Sequence, residues 1–431
     1  MVIGVVGASG FIGKELIKEL KIRQYDYLSF SRTHQPKQNW RFIDLFSKSI
    51  TEESLQNVDI AVYLVHSMLP SSKLTQGSFY DIDLLLADNF VRACKKNNVK
   101  KIIYLSGIIP KEGKLSPHLA SRKEVEDHLI SSGIPVSVIR AGLIIGDKGS
   151  SLNILKNLVL RSPVILAPKQ LKNKTQVISV TEVVDEIIRN IHDYPSTYSV
   201  GYDPVSYLDL IKMMQKHFNK NQPIININFY PVKILSFFAK IITHAPYNLI
   251  KPLFESLKLD MISDESFGNK TEDSIKLLDT KYVRNPHAFS PSLEINKVRS
   301  IQRITLKKEL HFPIYQIYYR WLQKSIPFIG VETKKHRLNF YFLTPKIRLL
   351  QLEYSASHSS QDRQLLFITG GLLTNKVQDY GRLEFRYIND KTIICALHDY
   401  IPAMPWWVYI LTQANIHLCV MKKFKIFLEQ L

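Results

Sequence analysis

The sequence predicts an α/β domain built on a doubly wound parallel sheet, followed by an α+β domain of antiparallel strands and a long C-terminal helix. Three observations predict it. Strand and helix patterns alternate through the first half, a glycine-rich turn joins the first strand to the first helix, and from about residue 335 the pattern turns to strict alternation.

Taken in order, residues 2–6 (VIGVV) are an apolar run ending at Gly7, and FIGKELIKEL follows with Ile12, Leu16, Ile17 and Leu20 at helical spacing. Strands are expected at 26–31, 40–43 and 58–65, then a helix at 79–97 and a buried strand at 100–107. A helix at 119–132 leads into a strand at 135–142. This spacing means right-handed βαβ units and a sheet covered on both faces. Residues 219–300 hold strand-like IININFYPV, an apolar helical stretch and a polar segment, 262–292, that reads as a connection or as a lid over the nicotinamide end of a site. Further on, HRLNFYFL, KIRLLQLEYSA, RQLLFITGGLL, GRLEFRYI and KTIICALHDY alternate, and INDK at 388–391 marks a hairpin turn. The stretch from Pro405 onward reads as one long helix. The expected division is 1–218 for the sheet domain, 219–300 for a substrate-side helical segment and connection, and 301–431 for the α+β domain. The last is similar in pattern to helix-grip domains, whose sheet and helix enclose an apolar ligand.

Of the 431 residues, 45% are hydrophobic and 22% charged, which excludes a disordered chain. Cys94, Cys395 and Cys419 lie too far apart for a disulfide framework or a CxxC-type zinc site, and suit a reducing, cytoplasmic setting. The first strand begins at Val2, so no signal or transit peptide is expected. VKILSFFAKIITHAPYNLI, residues 232–250, contains Lys233, Lys240, His244 and Pro246 and does not read as a membrane span; a helix lying on a surface remains open. The net charge is +19, with 28 basic against 17 acidic groups in residues 221–431. Genome bias, attraction to an anionic membrane at its inner face, and nucleic-acid binding would each produce it. No nucleic-acid motif accompanies the charge, so nucleic acid is not expected as a partner. No HExxH or paired-carboxylate pattern occurs, and His417 with Met421 reads as core, so no metal is expected.

The motif that carries chemistry is Gly7-Ala8-Ser9-Gly10-Phe11-Ile12-Gly13. Gly7 turns the chain off the strand, Gly10 lets backbone approach a pyrophosphate, and Gly13 lets the helix lie close on the sheet. The helix N-terminus then offers amides and a positive dipole to the phosphates. The second strand ends in Ser31 and Arg32 where a carboxylate would select a free ribose hydroxyl, so NADP(H) is favoured over NAD(H).

GASGFIG resembles the GxxGxxG fingerprint of extended and atypical short-chain dehydrogenases/reductases, a superfamily that includes the NAD-dependent epimerases and dehydratases. The resemblance covers about residues 1–215. It implies that Asp44 and Leu45 contact the adenine, that Leu64, Val65 and His66 flank the adenosine ribose, and that Ser106 polarises the substrate. It places Arg140, Ala141 and Gly142 beside the nicotinamide, and QVISVTEVVDEIIRNI resembles the strand and helix that follow, with Ser179 and Glu182 at capping-box spacing. YLVHSM at 63–68, LSPHLASRKEVEDHL at 115–129 and PYNLIKPLFESLK at 246–258 are similar to the NmrA-like atypical branch, especially members with an uncharacterised C-terminal domain.

That superfamily's Tyr-x-x-x-Lys pair is missing. Twelve residues after Ser106 stands His118, and four further on Arg122. An imidazole with an ordinary pKa near 6.5 can act as a general acid, while Arg122 can hold ribose hydroxyls but cannot deprotonate. Equally, a His just after Pro117 can be an exposed first-turn residue. His66 and Tyr104, which shares a strand face with Ser106, are further candidates, and the substrate pocket is expected within 195–260. Three readings stay open: an oxidoreductase or epimerase acting on a bulky, partly apolar molecule, a dinucleotide-sensing or scaffold protein, and a peripheral membrane factor.

Overall fold

The computed structural model describes the chain except for residues 34, 37, 68–71, 147–148, 230, 279–293, 309, 311–312 and 376–380. The polar segment read as a connection or lid thus falls partly outside the described residues. Two compact units emerge: Met1–Leu69 with Leu86–Ser290, and Pro70–Leu85 with Pro291–Leu431. This differs from the division expected at 218/219 and 300/301. The described residues between 219 and 278 pack with the sheet domain, and an inserted segment after the fourth strand goes to the second unit.

The elements run in chain order. First come β1 (Val2–Val6), α1 (Phe11–Ile22), β2 (Asp26–Ser31), β3 (Trp40–Phe42), α2 (Lys48–Ser54) and β4 (Ile60–Tyr63). β5 (Ser72–Gln76) belongs to the second unit, and α3 (Phe79–Lys96) passes from it back into the first. Next are β6 (Lys101–Gly107), α4 (Pro117–Ile130), β7 (Val136–Ala141), β8 (Leu143–Ile145), α5 (Ser150–Arg161) and β9 (Ile165–Pro168). Then follow β10 (Lys174–Thr175), β11 (Val177–Ser179), α6 (Val180–Arg189), β12 (Thr197–Val200), β13 (Val205–Ser206) and α7 (Tyr207–His217). β14 (Ile224–Ile227), α8 (Val232–Thr243), α9 (Tyr247–Ser256) and α10 (Thr271–Lys276) complete the first unit.

Its main sheet has the order β12-β7-β6-β4-β1-β2-β3, parallel throughout. Ile3, Val5, Val62, Ile103 and Ile139 of the central strands are buried against Leu16 and Leu20 of α1 and Val183 and Ile187 of α6. On the other face Tyr63 packs on Phe90 of α3, with ring centroids 4.6 Å apart. Each such side chain contributes roughly 1.5–3 kcal/mol by burial. Ser179 caps α6 by accepting the Glu182 N–H at 3.2 Å, as its spacing predicts.

The second unit continues through β15 (Glu294–Thr305), α11 (Ile314–Ser325), β16 (Ile329–Lys334), β17 (Arg337–Phe342), β18 (Thr344–Tyr354) and β19 (Arg363–Gly370). β20 (Arg382–Asn389), β21 (Thr392–Tyr400), α12 (Trp406–Leu411) and α13 (Gln413–Gln430) follow. The eight strands order as β16-β17-β18-β19-β20-β21-β15-β5, antiparallel except for the β15–β5 pair. β5, β15 and β16 were not legible as strands. The expected single C-terminal helix is broken at Thr412 (φ −118°, ψ −85°), where Asn415 Nδ2 donates to the carbonyls of Ile410 and Leu411.

One sheet face packs Leu383, Phe385 and Cys395 on Trp321 of α11 and Phe424 of α13. The alternate residues of β20 include Glu384 and Arg386, both buried. Glu384 accepts from Arg363 Nε at 2.8 Å and pairs with Arg386 at 2.5 Å. Burial alone would raise its pKa, but Arg386, His398 and Arg363 together hold the carboxyl well below the ordinary 4.5. Its contribution to stability is therefore present above about pH 4.5 and lost as the pH falls through the lower folded value. Glu384→Gln removes the carboxylate between two buried guanidiniums and is expected to cost about 3–5 kcal/mol, read as a lower urea midpoint.

Candidate functional site

The strand order reverses between β1 and β4, so the carboxyl ends of these two strands frame the crevice where doubly wound folds hold ligands. Gly7 leaves β1 at φ +97°, a conformation that side chains resist. The amides of Gly7 and Ala8 donate to Phe30 O at 3.3 and 3.2 Å, and Gly10 N–H donates to Gly7 O at 2.9 Å. A Cβ on Gly13 would stand 2.4 Å from Gly7 O and 2.8 Å from Ala8 Cα. Helix α1 therefore rests directly on the turn. Gly10 is its N-cap and no side chain caps it, which leaves first-turn amides for an anion. Ser9 is exposed at the rim, and Phe11 and Ile12 are half-buried.

The neighbouring candidates gather at the same end of the sheet. Leu64 N–H donates to Val6 O at 2.9 Å, and a Cβ on Gly7 would touch Leu64 at 3.2 Å, so Leu64, Val65 and His66 pass beside the glycine turn. Ser31 is buried, and its hydroxyl donates to Thr33 O at 2.7 Å, tightening the loop on which Arg32 is exposed. Asp44 Oδ1 accepts from Phe46 N–H at 3.1 Å, and Leu45 is held by Asn89 Nδ2 on its carbonyl at 2.7 Å.

Ser106, at the end of β6, is buried, and its hydroxyl has no hydrogen-bond partner among the described residues. Ser116 caps α4 by accepting from Leu119 N–H at 3.3 Å, and Pro117 opens the helix. His118 and Arg122 follow one turn apart. The helix is pinned to β7 by Arg140, whose Nε and Nη2 donate to the two carboxylate oxygens of the buried Glu126. Arg140 thus positions α4, while Ala141 and Gly142 line the cavity described below. Gly142 is obligatory, since a Cβ there would fall 2.0 Å from Gln176 O.

His118 is half-buried, and desolvation first, then Arg122 and His66, lower its pKa to about 3. Desolvation and Arg122 also lower His66, yet more than a third of the His66 surface is open to water, which screens part of that depression. Both imidazoles are therefore neutral at pH 7. The lowered pKa leaves His118 without the partial imidazolium population that an ordinary value near 6.5 gives; a neutral ring can still donate one N–H or accept one hydrogen bond. Tyr104 is fully buried in the core against Tyr63.

Beside His118 opens a cavity of about 480 Å³. Sequence reasoning placed the pocket in 195–260; the structure also builds its wall from α5 and β9, with Ile154, Leu155, Leu158 and Ile165. The over-wide apolar face of LNILKNLVL was the available signal. Also missed were Gly146 and Gly149, where added Cβ atoms would meet the Phe11 ring at 2.6 and 3.3 Å. The glycine cradle and the buried, unpartnered Ser106 hydroxyl fit a dinucleotide. Among the described residues no group of side chains could hold a metal ion.

Comparison with known proteins agrees with this geometry. Residues 3–125 match the model of the NAD dependent epimerase/dehydratase family. Over 108 residues the chain is 32% identical to Auxiliary protein GraX of Staphylococcus aureus (strain NCTC 8325 / PS 47), an alignment covering 24% of this chain. It spans only 35% of that protein's length. The structure of a nucleoside-diphosphate-sugar epimerase from Staphylococcus aureus superposes with a TM-score of 0.51 and 14% identity, covering 67% of this chain and 99% of that one. The first unit thus has the fold of the short-chain dehydrogenase/reductase-like epimerases.

Gly13→Ala is expected to push α1 off the turn and weaken binding of a nicotinamide dinucleotide by about tenfold or more, or about 1.4 kcal/mol, measured by titration calorimetry. Acid should also loosen this unit. Below pH 6.5 the unfolded chain protonates His118 while the folded chain, with its lowered pKa, does not. The urea midpoint should fall between pH 7 and pH 4, and fall less in His118→Asn.

Proposed function

We propose that the first unit holds NADP(H) across the β1–β4 crevice and presents its nicotinamide end, between Ser106 and His118, to an uncharged apolar molecule in the cavity. The glycine turn takes the pyrophosphate, Asp44 and Leu45 face the adenine, Leu64 to His66 flank the ribose, and Ala141 and Gly142 lie beside the nicotinamide. Arg32, exposed where a carboxylate would exclude it, takes the 2′-phosphate.

The observation that carries the substrate class is the cavity wall. None of the side chains lining it is Asp, Glu, Lys or Arg. Two of its four hydroxyls are already engaged: Ser162 donates to Val164 O at 2.5 Å, and Ser256 donates to Pro252 O at 3.0 Å. A sugar nucleotide would bring a diphosphate and several hydroxyls into this wall without partners, at a cost of several kcal/mol. An apolar molecule gains roughly 25 cal/mol for each Å² it removes from water.

When bound, the dinucleotide supplies or accepts hydride. Ser106 donates its buried hydroxyl to the substrate oxygen, and His118, standing at the usual tyrosine position, directs its neutral imidazole to the same atom. Arg122 holds the ribose hydroxyls and, after burial, adds to the depression of the adjoining imidazoles' pKa. The same groups favour a second reading, binding without turnover, because none at the transfer point has a pKa near 7.

NADPH oxidation with apolar ketones, aldehydes and quinones separates the two. Turnover that falls about a hundredfold in His118→Ala supports the enzyme. Saturable NADPH fluorescence without turnover supports the sensor. Arg32→Ala should lose the preference for NADPH over NADH, and unchanged discrimination would remove Arg32 from the site. Leu155→Trp fills the cavity and should abolish binding of the uncharged dye Nile red; undiminished binding would sink the apolar pocket.

A further inference from the structure

Helix α8 is apolar on two sides at once. Leu235, Ala239 and Ile242 line the cavity, while Ile234, Phe237, Phe238 and Ile241 are 55%, 53%, 53% and 54% exposed. The exposed four fall at i, i+3, i+4 and i+7, a single outward stripe at roughly 100° per residue. Phe238 belongs to both sets: it lines the cavity and stands in solvent. So does Leu166 of β9, 41% exposed. These two side chains mark the cavity's open edge. An exposed helix of this kind would ordinarily turn a polar face to water.

The charge carried by α8 has one sign. Lys233 and Lys240, both exposed, share one flank of the helix, and His244 at its end contacts Arg161 at 2.7 Å. Residues 210–254 contain six lysines and no Asp or Glu. An apolar stripe whose own helix carries lysines and no acid is complementary to a surface that is anionic outside and hydrocarbon within. Among the described residues no helix is long and apolar enough to cross a membrane, so the helix would lie in the surface rather than span it.

We propose that α8 docks on an anionic lipid bilayer with Ile234, Phe237, Phe238 and Ile241 among the acyl chains, and that the cavity opens between Phe238 and Leu166 into that layer, so that its apolar occupant arrives from the membrane. The inference rests on the apolar reading of the cavity and adds the source of its ligand.

Flotation of the full chain with vesicles of phosphatidylglycerol and phosphatidylcholine tests it. The wild type is expected to float at low salt and to float less on pure phosphatidylcholine. Lys233→Glu with Lys240→Glu should cut binding by about fivefold per lysine. Ile234→Glu with Phe237→Glu, at positions outside the cavity, should stay at the bottom while binding NADPH and Nile red as the wild type does. Wild type that stays at the bottom, or a double glutamate variant that floats equally well, overturns the docking and leaves the cavity reading intact. Flotation without any Nile red binding in lipid-free solution overturns the cavity reading and, with it, the delivery route. A dimer in sedimentation that the glutamate variant abolishes would assign the stripe to a second copy and overturn the proposal.

Discussion

Where α1 crosses the end of β1, two stretches of backbone meet with no side chain between them. Gly13 lies so close to the Gly7 carbonyl that a single methyl group would separate helix from sheet. That contact sets the helix axis, and the axis aims the uncapped first turn at the switch point between β1 and β4. Leu64 then packs on Gly7, which carries the segment after β4 to the same crevice. Without the close approach, the other candidate residues would sit at the end of a sheet with no common focus.

The opposite wall of the crevice is governed by charge. Arg140 and Glu126 fasten α4 to β7 through a pair that is almost wholly buried on the acid's side. With α4 held, His118 and Arg122 share one face, and burial first, then the permanent cation, lowers the pKa of the neighbouring imidazoles. This part of the crevice carries a hydroxyl, a neutral ring and a fixed charge. Immediately beyond lies a cavity with no ionisable side chain other than that imidazole and the Tyr207 phenol, whose pKa burial pushes up to about 12. The two halves of the site thus suit a charged ligand at one end and an uncharged one at the other.

The second unit solves a different problem. Its sheet buries aromatic and aliphatic residues on one face and places Glu384 and Arg386 at alternate positions of the same strand. Buried charges of this sort are tolerated only in mutually satisfied sets, and a strand's two-residue period is what separates them from the apolar face.

Local pattern alone determined the parallel sheet, the glycine turn and the β20–β21 hairpin, because each is written within a few neighbouring residues. The cap at Ser179 and the absence of a carboxylate after Ser31 belong to the same class. Tertiary structure decided what depends on residues distant in sequence. It decided that β5, too short and polar to be recognised, joins β15 more than two hundred residues later, and that Thr412 interrupts the last helix. It decided the electrostatic state of His118, which depends on desolvation and on Arg122 and His66. It also decided that α5, β9, α8 and α9 close on one apolar space. A period reports which face of an element is apolar, but not which other faces it meets; volume and desolvation are properties of the meeting.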